Sequence, residues 1–394
     1  MRNNVTSQGV YLESPTKKRL NHGQFPCTGI YHTPEGKKPQ TAIIASHPVG
    51  NWAQHYLAPY MARRGYGFLG WNTRYQGVPV ATGFTLEHSL IDIGVGVRWL
   101  REEAGVKNVV LLGNSGGASL MGAYQSQALH PNIDPGSAPK DLLLSLPPAD
   151  LYISLAAHPG RATVLTEWLD PSVTDENDPL SCDPELDMYN PKNGPPYSAE
   201  FLQRYRAAQV ARNERITKWA EHELRRIGEG RPKGGKALTG EGTFGAPSVD
   251  GVFDRFFSVP RQFAEPRFVD LTLDPSKRPV GCFAGDPLQS NYSGYGLAPV
   301  TSAREWLAMW SVSRTQVRTD RQLPLIRQPA LVISANHDVG CFPSHAQTIY
   351  DALGSKDKRL VSIDGAHYLE GPGDRDELAA LIAAWLEEHG AAPV

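Results

Sequence analysis

The stretch that most constrains the fold is Val109-Val110-Leu111-Leu112-Gly113-Asn114-Ser115-Gly116-Gly117-Ala118-Ser119-Leu120. A short apolar run ends in Gly-x-Ser-x-Gly, small residues follow, and residues 120–129 then read as helix. A continuous run of Val and Leu suits a strand covered on both faces. A strand and a helix joined by so few residues require a sharp turn with Ser115 at its apex. Such a turn closes only where the flanks are nearly free of side chains. Gly113 and Gly117 leave that room, and Gly116 widens it. A serine at the apex projects its hydroxyl above the end of the sheet. The first N–H of the helix, on Gly116, points at the same space. The bare motif also fits a glycine-rich turn with an incidental serine, but the strand before it and the helix after it favour a nucleophile.

This strand, elbow and helix resemble the nucleophile turn of the α/β-hydrolase superfamily. The resemblance implies an α/β fold, with a mostly parallel eight-stranded sheet, helices on both faces and a mainly helical cap insertion. It also implies the chain order Ser…Asp…His, with the cap inserted before the acid. The flanking segments agree. Residues 9–14 and 25–32 read as an antiparallel lead-in, and residues 41–46 as a buried parallel strand. Residues 52–64 read as a helix and 66–72 as the next strand. Residues 86–103 form an amphipathic helix with Leu86, Leu90, Ile93, Val97 and Leu100 on one stripe. Residues 150–157 are a further strand. Arg74, after the strand at 66–72, is read as structural.

Strand 41–46 opens into His47-Pro48-Val49-Gly50. In the superfamily this loop supplies a second N–H to the oxyanion hole beside that of Gly116. Proline has no N–H, so the resemblance assigns the donor to Val49, or to Gly50 if the turn is shifted. Strand 150–157 ends at His158-Pro159-Gly160-Arg161, on the carboxyl edge where open α/β sheets bind ligands. His158 and Arg161 are therefore candidate pocket residues, or else groups that stabilise the loop.

The alternation of strand and helix breaks down over residues 162–327, between core segments 1–161 and 328–394. Residues 170–196 are acidic and rich in Pro and Asn, hence loop. Residues 198–227 read as a long helix, with Ser198 as its cap and Phe201, Tyr205, Ala208, Ile216, Trp219 and Ile227 near one face. Eight glycines between Gly228 and Gly251 mark a loop expected to be mobile. A match there to Gly-x4-Gly-Lys ends in Ala237 instead of Ser or Thr and lacks the flanking strand and helix, so it is rejected as a phosphate loop. Residues 256–273 look strand-like and 302–312 helical. The segment is rich in aromatic rings, among them Phe253, Phe257, Phe263, Phe268, Phe283 and Tyr295. Some are expected to wall a substrate pocket and others to pack beneath the cap.

The alternation resumes at residues 329–335, and Asp338 follows at the strand end, where the superfamily places its acid. Residues 343–353 read as a helix and 358–363 as the last strand. His367 lies on the loop after it, in the position of the base, before a closing helix at 377–389. Asp364 is the rival acid, and His47 and His158 are the rival bases. The order Ser115…Asp338…His367 is that of this superfamily. It implies a serine hydrolase acting through an acyl-enzyme on an ester or lactone of a small to medium, partly apolar substrate. Amide, thioester or carbon–carbon hydrolysis, acyl transfer, and a non-catalytic binding protein of the same fold remain alternatives.

With 394 residues and a net charge of −2, the chain exceeds one minimal domain and offers no basic face for nucleic acid. Cys27, Cys182, Cys282 and Cys341 are widely spaced, which argues against a metal site or a disulfide framework. Neither an apolar leader nor a membrane-length apolar run occurs, so a soluble cytoplasmic protein is expected, with no membrane partner. No cofactor is expected. The partner is a small-molecule substrate, and self-association is left open.

Overall fold

Two antiparallel strands open the chain, β1 (Val5–Glu13) and β2 (Pro26–Pro34). The computed structural model describes residues 4–16, 25–76, 84–229 and 255–394. The next elements are β3 (Thr41–Ser46), α1 (Ala58–Arg63), β4 (Gly67–Asn72), α2 (Leu86–Glu102), β5 (Asn108–Asn114) and α3 (Gly117–Leu129). A short helix, α4 (Lys140–Leu144), precedes β6 (Leu151–Leu155). α1 is shorter than the sequence predicts. The Trp52 N–H donates to Asn72 Oδ1 at 2.7 Å, which holds the chain across β4 before the helix can begin.

Residues 162–327 contain most of α5 (Arg161–Trp168) and all of α6 (Ala199–Glu229). They also hold the ribbon of β7 (Phe256–Ser258) and β8 (Val300–Ser302), with α7 (Pro287–Asn291) between these strands. α8 (Ala303–Glu305) runs into a π-helical turn at Trp306–Trp310, and α9 (Thr319–Gln322) follows. The strand expected over 256–273 is confined to β7. Beyond it, side chains of α6 take the carbonyls that a sheet would use. Arg212 donates to Pro260 O at 2.8 Å, and Tyr205 to Ala264 O at 2.6 Å. α6 begins as predicted, with the Phe201 N–H donating to Ser198 Oγ at 3.1 Å. It also buries Gln209, Arg212, Asn213 and Thr217, a polar stripe that apolar periodicity does not reveal. Residues 230–251, most of the glycine-rich loop expected to be mobile, lie outside the described residues, as does Phe253.

The chain then completes its core with β9 (Ala330–Ala335), α10 (Pro343–Ala352), β10 (Lys358–Ile363) and α11 (Asp374–Glu388). Eight strands join in one sheet, in the order β1-β2-β4-β3-β5-β6-β9-β10. β2 is antiparallel to both its neighbours, and the pairings from β4 to β10 are parallel. Successive side chains of a strand face opposite ways. Ile44, Val109 and Leu111 therefore pack with Leu90, Val97 and Met121 of α2 and α3. Ile43, Val110 and Leu112 pack with Met61 of α1 and with Ile382 and Leu386 of α11. Helices on both faces hold the sheet dry, and its carboxyl edge carries the loops after β3, β5, β6, β9 and β10. Arg74 is structural: it forms a buried ion pair with Asp92 at 2.7 Å.

Candidate active site

The elbow between β5 and α3 is fixed by contacts that only glycine allows. A Cβ on Gly113 would stand 2.2 Å from Ala118 Cα, and one on Gly117 would stand 2.4 Å from Ser46 O. The helix therefore folds back directly against its own strand and against β3. Ser115 is left at φ +55°, in the left-handed region that a residue with a Cβ rarely occupies. Its N–H donates to Leu155 O at 3.1 Å, which anchors the turn to β6.

Asp338 and His367 come from the loops after β9 and β10. The Asp338 carboxylate is buried. Its Oδ1 accepts the N–H groups of Gly340 and Cys341 at 2.8 and 2.9 Å, and its Oδ2 lies 2.6 Å from His367 Nδ1. Nε2 of His367 has no hydrogen-bond partner among the described residues. Burial pushes the His367 pKa down, but the Asp338 charge and its hydrogen bond outweigh that and hold it above the ordinary 6.5. Asp364, the rival acid, is exposed instead, with Lys277 Nζ at 2.8 Å and Asn336 Nδ2 at 3.1 Å.

Ser115 and His367 line one cavity of about 220 Å³, and His47, Val49, His158 and Arg161 line it with them. Residues 162–327 contribute Val164, Trp168, Phe283, Tyr295 and Leu297. Among the aromatic rings, Phe283 stands edge-on to His367 at 5.8 Å, whereas Phe263 and Phe268 pack against Trp168.

The loop after β3 departs from expectation. Val49 lines the cavity, but its N–H donates to His47 Nδ1 at 3.3 Å, and that of Gly50 donates to the same atom at 3.0 Å. Both expected donors are thus turned onto the imidazole that precedes them. An Nδ1 that accepts two hydrogen bonds leaves the proton on Nε2. That atom faces the elbow, 3.0 Å from where a Cβ on Gly116 would stand. Burial first, then the charges of Arg161 and His367, hold the His47 pKa well below 6.5, so the ring is neutral. In the sequence His47 reads as a rival base. The signal for a different part is the proline after it, which leaves the turn without one N–H.

Cys341 carries no such signal in the sequence. It lines the cavity three residues after Asp338, and burial, with the Asp338 charge next, pushes its thiol pKa far up. Donor atoms of Asp338, Cys341 and His367 lie within 4.8 Å of one another, but two of these groups are already hydrogen-bonded to each other. His158 and Arg161 both reach the cavity. His158 Nδ1 is buried without a partner among the described residues, and Arg161 Nε donates to Met309 Sδ at 3.1 Å.

A sheet of this order and direction, with the elbow at the end of β5, is the α/β-hydrolase fold, and the chain has that fold. In structure it is similar to DcsB in complex with its substrate analogue, at 10% identity, over 97% of this chain and 99% of that one, with a TM-score of 0.50. It is also similar to the α/β hydrolase GrgF from Penicillium sp. sh18, at 11% identity, over 97% of each chain, with a TM-score of 0.48. A third likeness is to the esterase domain of a Rhodothermus marinus protein, at 12% identity, over 97% and 98%, with a TM-score of 0.46. No protein-family model matches the chain, and no curated protein matches it in sequence. Among the described residues no helix is long and apolar enough to cross a membrane.

Proposed function

We propose that the protein is a serine hydrolase that cleaves an ester or lactone of a small to medium, partly apolar substrate. One observation carries this reading. Ser115, held at φ +55° on the elbow, shares a cavity with His367, whose Nδ1 lies 2.6 Å from Asp338. His367 Nε2 takes the hydroxyl proton as Ser115 Oγ bonds to the carbonyl carbon. Asp338 holds the imidazole in the required tautomer and stabilises its charged form. The carbonyl electrons move to oxygen, between the Gly116 N–H and the His47 Nε2–H. Val49 could join them only by giving up its long bond to His47. Each such donor is worth roughly 10²–10³ in rate.

Collapse of the intermediate breaks the ester bond, and the departing alkoxide takes the proton from His367. Water, deprotonated by His367, then attacks the acyl-Ser115 carbon, and the acid leaves as Ser115 regains its proton. Residues 162–327 serve as a cap on cores 1–161 and 328–394. Val164, Trp168 and Phe283 narrow the cavity, which excludes water and selects substrates by shape. The test is labelling with a fluorophosphonate probe. Ser115 is expected to be the only serine modified, and labelling that persists in Ser115→Ala would end the assignment.

A further inference from the structure

Arg161 opens α5 and is 9% exposed, so its charge has been taken almost wholly out of water. A guanidinium in that position ordinarily finds a carboxylate or a set of carbonyls, because an unmatched buried charge is strongly unfavourable. The other arginines as deeply buried among the described residues are matched. Arg212 pairs with Glu176 at 2.6 Å, Arg261 with Asp170 at 2.6 Å, and Arg267 with Glu167 at 2.7 Å. Arg278 donates to Leu273 O at 2.6 Å. Arg161 has only Met309 Sδ on its Nε and the Trp310 ring beneath it at 4.5 Å. Its Nη1 and Nη2 have no hydrogen-bond partner among the described residues. Glu305 acts on it through space but makes no ion pair with it. That carboxyl accepts from Thr301 Oγ1 at 3.1 Å, and burial pushes its own pKa up to about 7.

The unmatched end of Arg161 lies at the reacting position. A Cβ on Gly116 would stand 2.7 Å from Arg161 Nη1, which places the guanidinium against the elbow beside Ser115. Among the described residues no Asp or Glu lines the cavity, and three imidazoles, His47, His158 and His367, line it with Arg161. His158, whose Nδ1 is buried and unpartnered among the described residues, lines the same cavity. Phe283 and Tyr368 stand edge-on to His367 at 5.8 and 4.5 Å. The Arg161 charge therefore adjoins Gly116, whose N–H receives the acyl oxygen on the reading proposed above. The apolar wall adjoins His367, where the leaving alcohol is protonated.

We propose that Arg161 receives a carboxylate carried by the acyl part of the substrate, so that the preferred substrate is a monoester of a short dicarboxylic acid. The planar guanidinium suits a carboxylate in bidentate fashion. A cavity of about 220 Å³ favours a short chain. Hydrolysis adds one water across the ester bond and releases the alcohol and the dicarboxylic acid, whose new carboxyl loses its proton at neutral pH. The proposal rests on the reading of Ser115 as nucleophile.

The test compares monoalkyl succinate and glutarate with the corresponding dialkyl esters, which are neutral. Wild-type protein is expected to favour the monoesters by about tenfold or more in kcat/KM. Arg161→Met should lower kcat/KM for the monoesters by about 100-fold, mainly through KM, as loss of a buried charge partner does. The neutral esters should lose at least about tenfold less than the monoesters do, and Arg161→Lys should restore part of the preference. Equal losses on both ester classes would make Arg161 an oxyanion donor and overturn the proposal. A wild-type preference for neutral esters would overturn it as well. Succinate and glutarate titrated calorimetrically into Ser115→Ala separate this inference from the hydrolase reading. Binding that disappears in Ser115→Ala/Arg161→Met supports the carboxylate site even if no ester turns over. Turnover of neutral esters with no dicarboxylate binding overturns the site and leaves the hydrolase standing.

Discussion

Two regions of the molecule treat buried charge in opposite ways. Around Glu265 the set is closed. Arg206 and Arg267 hold this carboxylate at 2.5 and 2.9 Å, Arg267 reaches Glu167 at 2.7 Å, and His345 Nε2 lies 3.0 Å from Glu167. Burial alone would raise the Glu265 pKa, but the two guanidinium groups outweigh it and hold the carboxyl far below its usual range. These bonds tie α5, α6 and α10 together. At the cavity the set is open. Arg161 lines the cavity, and no carboxylate among the described residues pairs with its guanidinium. The chain closes its charge sets where they hold elements together and leaves one open where a ligand is to enter.

The largest effect is expected at Asp338. Asp338→Asn should keep the fold and lower kcat by up to about 10⁴-fold, because the wrong imidazole tautomer is then favoured. Asp364→Asn, on an exposed carboxylate, should change kcat by less than about threefold in the same assay. The reverse pattern would mean that the acid is misassigned.

The closed and open sets should then part in stability. Glu265→Gln leaves Arg206 and Arg267 without their shared partner and should cost roughly 3–5 kcal/mol, read as a lower Tm and denaturation midpoint. A carboxyl whose folded pKa is depressed adds stability above its unfolded value, and that contribution is lost as pH falls. The gap between wild type and Glu265→Gln should therefore narrow below about pH 4.5, the ordinary value for this group. Arg161→Met removes a charge that has no ion pair among the described residues and should not lower Tm. Equal losses in the two variants would erase the contrast between the regions.

A smaller loss is expected at His47. His47→Phe should lower kcat by roughly 10²–10³-fold with little change in KM, as removal of an oxyanion donor does. An unchanged kcat would return the second donor to Val49 or Gly50. The mildest effect is on pH. His367 must be neutral to act as base, and Asp338 raises its pKa above 6.5. The value of kcat/KM should therefore fall tenfold per pH unit on the acid side of that raised pKa. In Asp338→Asn the residual activity should show the same limb at lower pH.

Much of this site is legible in the sequence. Ser115, Asp338 and His367 each follow an apolar run of strand length, and parallel strands in one covered sheet end on the same edge. Side chains that share an edge can converge even when they lie hundreds of residues apart. The glycines at 113 and 117 carry their own meaning, because a turn that close admits no Cβ. Residues 162–327 are harder to read. The strand-like apolar pattern after Phe256 is broken by Pro260 and Pro266, and its carbonyls are bound by α6. The buried polar stripe of that helix is also invisible to a reading that looks for apolar period.

The sequence by itself determined the sheet, the elbow and the chain order of its three candidate catalytic residues. These depend on local patterns: apolar runs that need cover on both faces, and glycines where the backbone must pass too closely for a side chain. Only the tertiary structure decided what surrounds Ser115. It turned two backbone N–H groups onto His47, placed Cys341 beside Asp338, and left Arg161 over Trp310 with no ion pair among the described residues. Whether a charge is matched depends on groups distant along the chain, here Met309, Trp310 and Glu305, and no local pattern encodes that distance.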